Sequence, residues 1–374
     1  MKIEKPFSLL IKPVSADCNM NCSYCFYHEK AFLYPQSKVH RMSDSVLERL
    51  IKSYMDLDID HFIFGWQGGE PILMGLDFFK KVTDLQKKYG RDGAYVSNGL
   101  QTNATLLNDE FAKHLHSYNF LVGVSLDGPE YIHNYYRKFY DSRGSYKNVM
   151  DNIESLKRNN ASFNILTLVN NSNVTNAKEL YSFFKQKGYF YQQYIPCVEF
   201  DNNGNLESFS IKAKQWGNFL CELFDCWYPD DFDQVSIRLF DSILYYLIKG
   251  KYNTCDMDRK CSSYFVVEYN GDIYPCDFFV QKDLKLGNIM QNSWQEIISS
   301  HNYMLFGNIK EKYSPTCRDC RHLYLCNGDC LKFRDCSLEN PTRLSFICKG
   351  WTKFYDYSID RFKKIAKDYL SKQG

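Results

Sequence analysis

Cys18, Cys22 and Cys25 lie in one short run near the start of the chain, Cys-Asn-Met-Asn-Cys-Ser-Tyr-Cys. This spacing suits a tight loop that wraps around a single iron–sulfur cluster. A cubane 4Fe-4S cluster normally takes four thiolate ligands. A loop that offers only three leaves one iron open to a ligand from outside, so the run predicts a cluster with one open corner.

A zinc site is the alternative for the same three cysteines, because closely spaced cysteines are also zinc ligands. Structural zinc requires four ligands, and the nearby candidate for the fourth is His28. The run by itself leaves this alternative open.

The chain contains 15 cysteines in 374 residues. Clustered cysteines in a chain of this size favour metal binding over a disulfide framework. The apolar stretch 7–11 is broken by Lys12 and Pro13 and has no signal-peptide cleavage pattern. No apolar run is long enough to cross a bilayer. We therefore expect a reduced, cytoplasmic protein without a membrane partner.

Lys and Arg number 46 and Asp and Glu number 44, which gives a net charge of +2. A chain this balanced has no overall field to attract nucleic acid or an anionic membrane. Aromatic residues make up 17% of the chain, which suits a large core and also a peptide-binding groove. Core packing accounts for most of these rings. We expect partners other than nucleic acid, recognised locally.

Short β-branched or aromatic runs alternate with amphipathic stretches through the first two-thirds of the chain. Strand and helix in alternation predict a parallel sheet. The predicted strands are Phe7–Lys12, His61–Gln67, Ala94–Thr102, Phe120–Leu126, Ser162–Val169 and Tyr191–Pro196, and the predicted helices include Ser43–Leu57, Leu76–Tyr89, Asp109–His116, Tyr146–Asn159 and Asn176–Lys187.

A second, dense set of cysteines begins at Cys255 and ends at Cys348. Its position predicts two domains, residues 1–234 and residues 235–374, the second with a C-terminal helix. Eight of these thiolates make two complete four-cysteine sites, with a zinc ribbon as the alternative. Within this set the sequence predicts a β-hairpin that carries Cys276 at its end, with strands at Phe265–Glu268 and Ile273–Pro275.

Four cysteines remain outside these groups. Three lie in apolar or aromatic surroundings and are interpreted as buried small hydrophobic residues. The fourth lies near the second cysteine set and is left unassigned. The first three are Cys197, Cys221 and Cys226, and the fourth is Cys336.

The N-terminal run, with Tyr24 inside it and Phe26 after it, resembles the signature of the radical SAM superfamily. The resemblance implies that S-adenosylmethionine (AdoMet) is the outside ligand and that an electron from the cluster releases a 5′-deoxyadenosyl radical. It also implies an α/β fold, a partial (β/α)6 TIM-type barrel, which the six strand–helix units match. In such barrels the active residues lie on loops at the C-terminal ends of the strands.

The stretch Gly68-Gly69-Glu70-Pro71 follows a predicted strand, and paired glycines let the backbone approach a ligand closely. Out of context a glycine pair is only a turn. Here it resembles the superfamily's GGEP element, whose backbone holds the methionyl amino group. The resemblance implies an AdoMet pocket formed by Tyr24, Gly68, Gly69, Glu70, Ser125 at the ribose or methionyl end, Arg137 on the carboxylate, Asn164 and Val198.

The later cysteines resemble the SPASM extension of peptide-modifying radical SAM enzymes, which holds two auxiliary 4Fe-4S clusters. With the N-terminal cluster, the resemblance implies three 4Fe-4S clusters in all. By the same resemblance the first auxiliary cluster is held by Cys255, Cys261, Cys276 and Cys330, and the second by Cys317, Cys320, Cys326 and Cys348.

Asp277 directly follows one of these predicted ligands. Its carboxylate is expected to face the space between the auxiliary cluster and the mouth of the barrel. A carboxylate in a largely apolar site can act as a general base. A turn aspartate that caps the hairpin is the alternative.

Across nearly its whole length the chain resembles the anaerobic sulfatase-maturating enzymes. The family oxidises an active-site Cys or Ser of a sulfatase, in a Cys/Ser-x-Pro-x-Arg motif, to Cα-formylglycine without oxygen. Asp277 aligns with its catalytic base, whereas Ala104 replaces the usual Gly, one small residue for another. The resemblance implies an unfolded sulfatase segment and a low-potential electron donor, ferredoxin or flavodoxin, as partners. The matching runs are 8–13, 25–28, 67–71, 100–103, 121–130, 235–238 and 274–278.

Two other functions are weighed against this one. Relatives with the same architecture modify ribosomally made peptides by thioether formation, epimerisation or crosslinking, and they often carry an N-terminal domain that grips a leader peptide. The first predicted strand begins at Phe7, which we interpret as favouring sulfatase maturation. An iron–sulfur electron carrier is the other alternative, and it would need neither an open cluster nor the Gly68-Gly69-Glu70 loop.

Overall fold

The computed structural model describes residues 6–334, 340 and 342–372. Within them the predicted strands are confirmed to within one residue at each end and the predicted helices to within two. The strands are β1 Ser8–Lys12, β2 His61–Trp66, β3 Tyr95–Thr102, β4 Leu121–Ser125, β5 Phe163–Val169, β6 Tyr191–Pro196, β7 Ser236–Ile237, β8 Tyr264–Glu268, β9 Asp272–Tyr274 and β10 Gly287–Asn288.

The helices include several that the sequence analysis did not predict, among them Glu130–Tyr136, Ala213–Trp227 and Arg238–Lys249. They are α1 Asp44–Met55, α2 Leu76–Tyr89, α3 Asp109–Ser117, α4 Glu130–Tyr136, α5 Tyr146–Arg158, α6 Ala177–Gln186, α7 Ala213–Trp227, α8 Arg238–Lys249, α9 Trp294–Ile298, α10 His301–Ile309, α11 Pro315–Arg318, α12 Leu323–Cys326 and α13 Cys348–Ser371.

One compact unit comprises Met1–Ser125, Tyr136–Phe163 and Ser262–Gly307. Its strands lie in the order β10-β9-β8-β1-β2-β3-β4. The pairs from β1 to β4 are parallel, as predicted, and β8 also pairs in parallel with β1. Strand β9 pairs antiparallel with β8 and β10. The β8–β9 pair is the predicted hairpin, and Cys276 follows it.

Alternation of buried and more exposed residues explains why this sheet forms. In β2, the alternate residues Phe62, Phe64 and Trp66 are fully buried. His61 and Ile63, which alternate with them, are exposed. Side chains on a strand alternate between its two faces, so this pattern places one face in the core. Because β1 to β4 are parallel, their C-terminal ends meet at one edge, where the loops of the site begin.

The other compact unit comprises Leu126–Tyr135, Asn164–Cys261 and Asn308–Gly374. Its strands β5, β6 and β7 pair in parallel. Helices α7 and α13 approach closely at two glycines, because a Cβ on Gly350 would lie 2.4 Å from the carbonyl oxygen of Ala213 and one on Gly217 would lie 2.9 Å from that of Gly350. This contact fixes the start of α13, where Cys348 lies.

None of the helices in the described ranges is long and apolar enough to cross a membrane. The predicted domain boundary between residues 234 and 235 stays a prediction.

Candidate active site

The loop after β1 gathers the first three cysteines. The backbone N–H of Cys25 donates to the carbonyl oxygen of Cys22 at 3.0 Å, and the N–H of Met20 donates to Sγ of Cys18 at 3.4 Å. Burial raises the pKa of the Cys18 thiol to about 12, and the Glu70 carboxylate and the other two thiols add to the rise. The three thiols therefore share one local environment, and their role as ligands of one cluster stays a prediction.

The glycine pair packs directly on this loop. The N–H of Gly69 donates to the carbonyl oxygen of Ser15 at 2.6 Å, and the N–H of Glu70 donates to that of Asp17 at 2.8 Å. A Cβ on Gly69 would lie 1.9 Å from the Asp17 carbonyl oxygen. Gly68 has a φ of +147°, which favours glycine. The backbone that the glycines approach in this structure is that of the cysteine loop.

Glu70 is fully buried and ties the glycine loop to the end of β3. Its carboxylate accepts from the N–H groups of Ile72 at 3.0 Å and Asn103 at 2.7 Å and from the Thr102 hydroxyl at 2.8 Å. The Asn103 side chain in turn donates to Oδ1 of Asn19 in the cysteine loop at 2.9 Å. Three loops are thus held together around one carboxylate.

Burial raises the pKa of Glu70 from its ordinary value of 4.5 to about 7, against the opposing effect of its hydrogen bonds. Between these pH values the folded chain keeps a proton that the unfolded chain releases, so stability should fall as pH rises. We expect the free energy of unfolding, measured in urea without AdoMet, to lose at most about 3 kcal/mol across this range. Glu70→Gln should lack this loss, whereas the exposed-site control Glu110→Gln should keep it. Equal slopes for the parent and Glu70→Gln would contradict the assignment.

Other residues of the predicted AdoMet pocket are divided between the two units. The Arg137 guanidinium is 5.7 Å from the ring centre of Tyr24, and its charge acts on the Glu70 carboxylate. Ser125 is buried at the end of β4. Asn164, half-buried in β5, and Val198, buried after β6, belong to the other unit.

Asp277 is buried, with 8% of its surface exposed, at the end of the β8–β9 hairpin. The Tyr264 hydroxyl donates to its Oδ1 at 2.8 Å and lies 3.2 Å from Sγ of Cys276. Tyr264 therefore orients the carboxylate beside a predicted cluster ligand. The role of Asp277 as a base stays a prediction.

Lys12 is a buried charge that the sequence analysis missed. It is 1% exposed at the end of β1, and its Nζ donates to Oε1 of Gln67 at 2.9 Å. Nζ also lies 4.2 Å from the ring centre of Tyr27, whose hydroxyl donates to the buried Glu268. Burial lowers the pKa of Lys12, and the carboxylates of Asp277 and Glu268 oppose this. The sequence does contain one signal of this buried charge. Lys12 ends the apolar run Leu-Leu-Ile, next to the cysteine loop.

Removal of this cation should leave buried carboxylates without compensation. We expect Lys12→Met to lower the free energy of unfolding by about 3 kcal/mol or more. Adding Glu268→Gln should recover part of the loss, because it removes one of the carboxylates left uncompensated. Urea unfolding of the single and double variants measures both, and a Lys12→Met chain as stable as the parent would contradict the role.

The later cysteines fall into two groups within the other unit. Burial raises the pKa of Cys330, and the thiols of Cys261 and Cys255 add to the rise. Burial likewise raises the pKa of Cys348, with Cys317 and Cys320 as neighbours. Cys326 has a raised pKa through burial, with Asp329, Cys348 and Cys317 as further causes, which places it in the second group.

The assignment of these cysteines to two clusters stays a prediction. Cys276 belongs to the other unit. Cys336 lies outside the described residues. Cys197 and Cys221 are buried and Cys226 is half-buried. No three His, Cys, Asp or Glu side chains in the described part of the chain are arranged to hold a single metal ion.

Comparisons with known families support both halves of this description. The family model of the radical SAM superfamily matches residues 13–184, and that of the SPASM iron–sulfur cluster-binding domain matches residues 255–321. The fold is therefore α/β, with the parallel sheet of a radical SAM domain and a SPASM domain after it.

Characterised relatives match over nearly the full length. A serine-type anaerobic sulfatase-maturating enzyme from Bacteroides thetaiotaomicron is 37% identical over 99% of this chain and 94% of its own. A cysteine-type enzyme from Clostridium perfringens is 36% identical over 97% and 99%.

Solved structures agree with the sequence comparison. Native anSMEcpe with bound AdoMet has a TM-score of 0.90 at 36% identity and covers 97% of this chain and 100% of that chain. The same enzyme with bound AdoMet and Cp18Cys peptide also has a TM-score of 0.90, with 97% and 99% covered. On these matches, the chain belongs to the anaerobic sulfatase-maturating enzymes, radical SAM proteins with a SPASM domain.

Proposed function

We propose that this chain oxidises a Cys or Ser side chain in a Cys/Ser-x-Pro-x-Arg segment of an unfolded sulfatase to Cα-formylglycine. The observation that carries the proposal is the pairing, in one compact unit, of a three-thiol loop with a buried carboxylate, Asp277, held by Tyr264. The near-complete match to serine-type and cysteine-type relatives supports it. Their identities, 37% and 36%, favour neither residue as the target.

The residues present fit the cofactors that this chemistry needs. Three thiols leave one position of a 4Fe-4S group for AdoMet. Arg137 supplies a planar fork for a carboxylate, and Glu70 holds the loops together through its hydrogen bonds. Two further four-cysteine sets would hold the auxiliary clusters, which makes three clusters in all. When bound, these groups would supply the radical that removes hydrogen from Cβ of the target and would accept the electron left behind.

Asp277 would take the remaining proton, from the thiol or hydroxyl of the target residue. The hydrogen bond from Tyr264 keeps Oδ1 in position, so the other carboxylate oxygen is the one available to the proton. The oxidation then balances, because the side chain loses one hydrogen atom, one proton and one electron. Water would convert the thioaldehyde from Cys to the aldehyde, whereas Ser would give the aldehyde directly. Ferredoxin or flavodoxin is the proposed low-potential electron donor.

Anaerobic turnover of short peptides tests this function. Peptides with Cys-x-Pro-x-Arg, Ser-x-Pro-x-Arg and, as a control, Ala-x-Pro-x-Arg would be incubated with the reconstituted enzyme, AdoMet and a strong reductant. Mass spectrometry should show loss of two hydrogens from the Ser peptide, or loss of two hydrogens together with exchange of sulfur for oxygen in the Cys peptide, with 5′-deoxyadenosine formed. Deoxyadenosine without change in either peptide would point to a different peptide substrate.

A further inference from the structure

Arg334 is a buried cation among the cysteines of the second compact unit, with 3% of its surface exposed. Its guanidinium donates to four backbone carbonyl oxygens, those of Gly328 at 2.7 Å, Asn327 at 2.8 Å, Lys310 at 2.9 Å and Lys312 at 3.5 Å. Arginine is not deprotonated in proteins, so this charge is permanent. Neutral carbonyls satisfy its N–H groups but do not neutralise the charge, which is costly to bury without a negative partner.

The segment that Arg334 holds joins the two predicted auxiliary clusters. Cys326 and Cys330 are assigned to different clusters, and only three residues separate them. All three, Asn327, Gly328 and Asp329, have positive φ angles. A Cβ on Gly328 would lie 2.1 Å from Nη2 of Arg334, so a glycine there is what admits the guanidinium.

The same charge acts on a thiol of each group. Burial raises the pKa of Cys261 and of Cys317, and Arg334 opposes the rise in both. Lys310 is a second buried cation, and its Nζ donates to the carbonyl oxygens of Cys255 and Asp256, each at 2.7 Å. Arg334 thus holds Lys310, which in turn holds the loop of a ligand to the first cluster.

A buried carboxylate also lies among these thiols. Asp329 accepts from the Ser345 hydroxyl at 2.6 Å and from Nε1 of Trp351 at 3.0 Å. Its charge adds to the rise that burial causes in the pKa of Cys326 and Cys330, whereas the charge of Lys310 opposes the rise in both. Within the described residues, Arg334 and Lys310 therefore act on these thiols against the Asp329 carboxylate.

We propose that Arg334 is a positioning residue for both auxiliary clusters, whose fixed charge offsets that of the thiolate-ligated iron and raises their midpoint potentials. A reduced cluster carries one more negative charge than an oxidised one, so a nearby cation stabilises the reduced form more. Arg334 would thus favour acceptance of the one electron left by the oxidised side chain. This inference rests on the two auxiliary clusters of the proposed function.

Potentiometric titration followed by EPR tests it on the full chain, reconstituted with iron and sulfide. Replacing Cys18, Cys22 and Cys25 by Ala removes the signal of the N-terminal cluster. In that background we compare Arg334→Gln, Arg334→Lys and, as a matched control, Arg361→Gln, a partly exposed arginine on α13 that pairs with Asp225. Dithionite serves as the reductant, and bound iron is measured in every sample.

Arg334→Gln is expected to make reduction of at least one cluster about tenfold less favourable, a fall of about 59 mV for a one-electron couple. Arg334→Lys should stay closer to the parent, and Arg361→Gln should match it. Unchanged midpoints in Arg334→Gln at full iron content would overturn the proposal.

Loss of iron in Arg334→Gln would leave the decision to Arg334→Lys. An Arg334→Lys chain that keeps its iron and has the parent's midpoint potential would support charge compensation. An Arg334→Lys chain that loses iron although the positive charge is kept would overturn the proposal. Because peptide oxidation is not measured, failure here leaves the proposed function standing. Iron for only one cluster in the parent would instead contradict the cluster count, and the remaining midpoint would still test Arg334.

Discussion

Asp277→Asn is expected to form oxidised peptide about 10²- to 10⁴-fold more slowly than the parent, the range that general base catalysis contributes. Asparagine keeps the shape of the side chain and an oxygen that can accept from Tyr264, but it cannot take a proton at neutral pH. Removal of hydrogen from Cβ does not require this base, so 5′-deoxyadenosine should still form. Anaerobic assays that quantify deoxyadenosine and peptide product in the same sample measure how far AdoMet cleavage is uncoupled from peptide oxidation.

Asp283→Asn is the matched control, since it makes the same chemical change at an exposed aspartate shortly after the hairpin. It should leave both products at parental levels. Product formation by Asp277→Asn at the parental rate would exclude Asp277 as the base and favour the alternative of a structural aspartate at the hairpin end. A parallel loss of deoxyadenosine and product would instead indicate damage to the AdoMet site.

Gly69→Ala is expected to reduce AdoMet binding and the iron content of the N-terminal cluster together. The added Cβ would lie 1.9 Å from the carbonyl oxygen of Asp17 and 2.4 Å from its carbonyl carbon. Both are backbone atoms, and the residue after them is Cys18, so the cysteine loop must move. Overpacking typically costs about 1–3 kcal/mol. If this cost falls on the AdoMet-bound state, AdoMet should bind about 5- to 150-fold more weakly.

Gly99→Ala is the control for this variant. Its Cβ would lie 3.9 Å from the Leu121 carbonyl oxygen, an ordinary contact, so only β-strand packing is tested there. Equilibrium dialysis with AdoMet and iron analysis after reconstitution give the two readouts. A Gly69→Ala chain that binds AdoMet and iron like the parent would show that the loop can relax without moving its thiols.

Most strands and helices of the site could be predicted because their signals are local. Alternation in β2, the capped amphipathic helix α1 and the hairpin before Cys276 each depend on residues close in sequence. The runs of cysteines could also be identified from the sequence, because metal ligands on one loop have a fixed spacing. Helices α7 and α8 were missed because β7, the strand between them, is only two residues long and gives no local strand signal.

The buried charges could not be predicted in the same way. Lys12 comes from β1, but Glu268 and Asp277, whose charges act on it, come from the far end of the same unit. Gly69 was interpreted as a residue that lets the backbone approach a ligand. The structure shows a second reason for a glycine there, the close contact with the backbone of the cysteine loop. Neither relation has a signal in local spacing.

The sequence by itself determined the strands of the first sheet region, the runs of cysteines and the family resemblance, because periodicity and ligand spacing are properties of short segments. Only the tertiary structure decided which charges are buried together. Lys12 beside Glu268 and Arg334 on the segment between Cys326 and Cys330 depend on chain folding that brings distant residues within reach. Burial removes water from these groups, and their charges then act on one another strongly, an effect that no local pattern records.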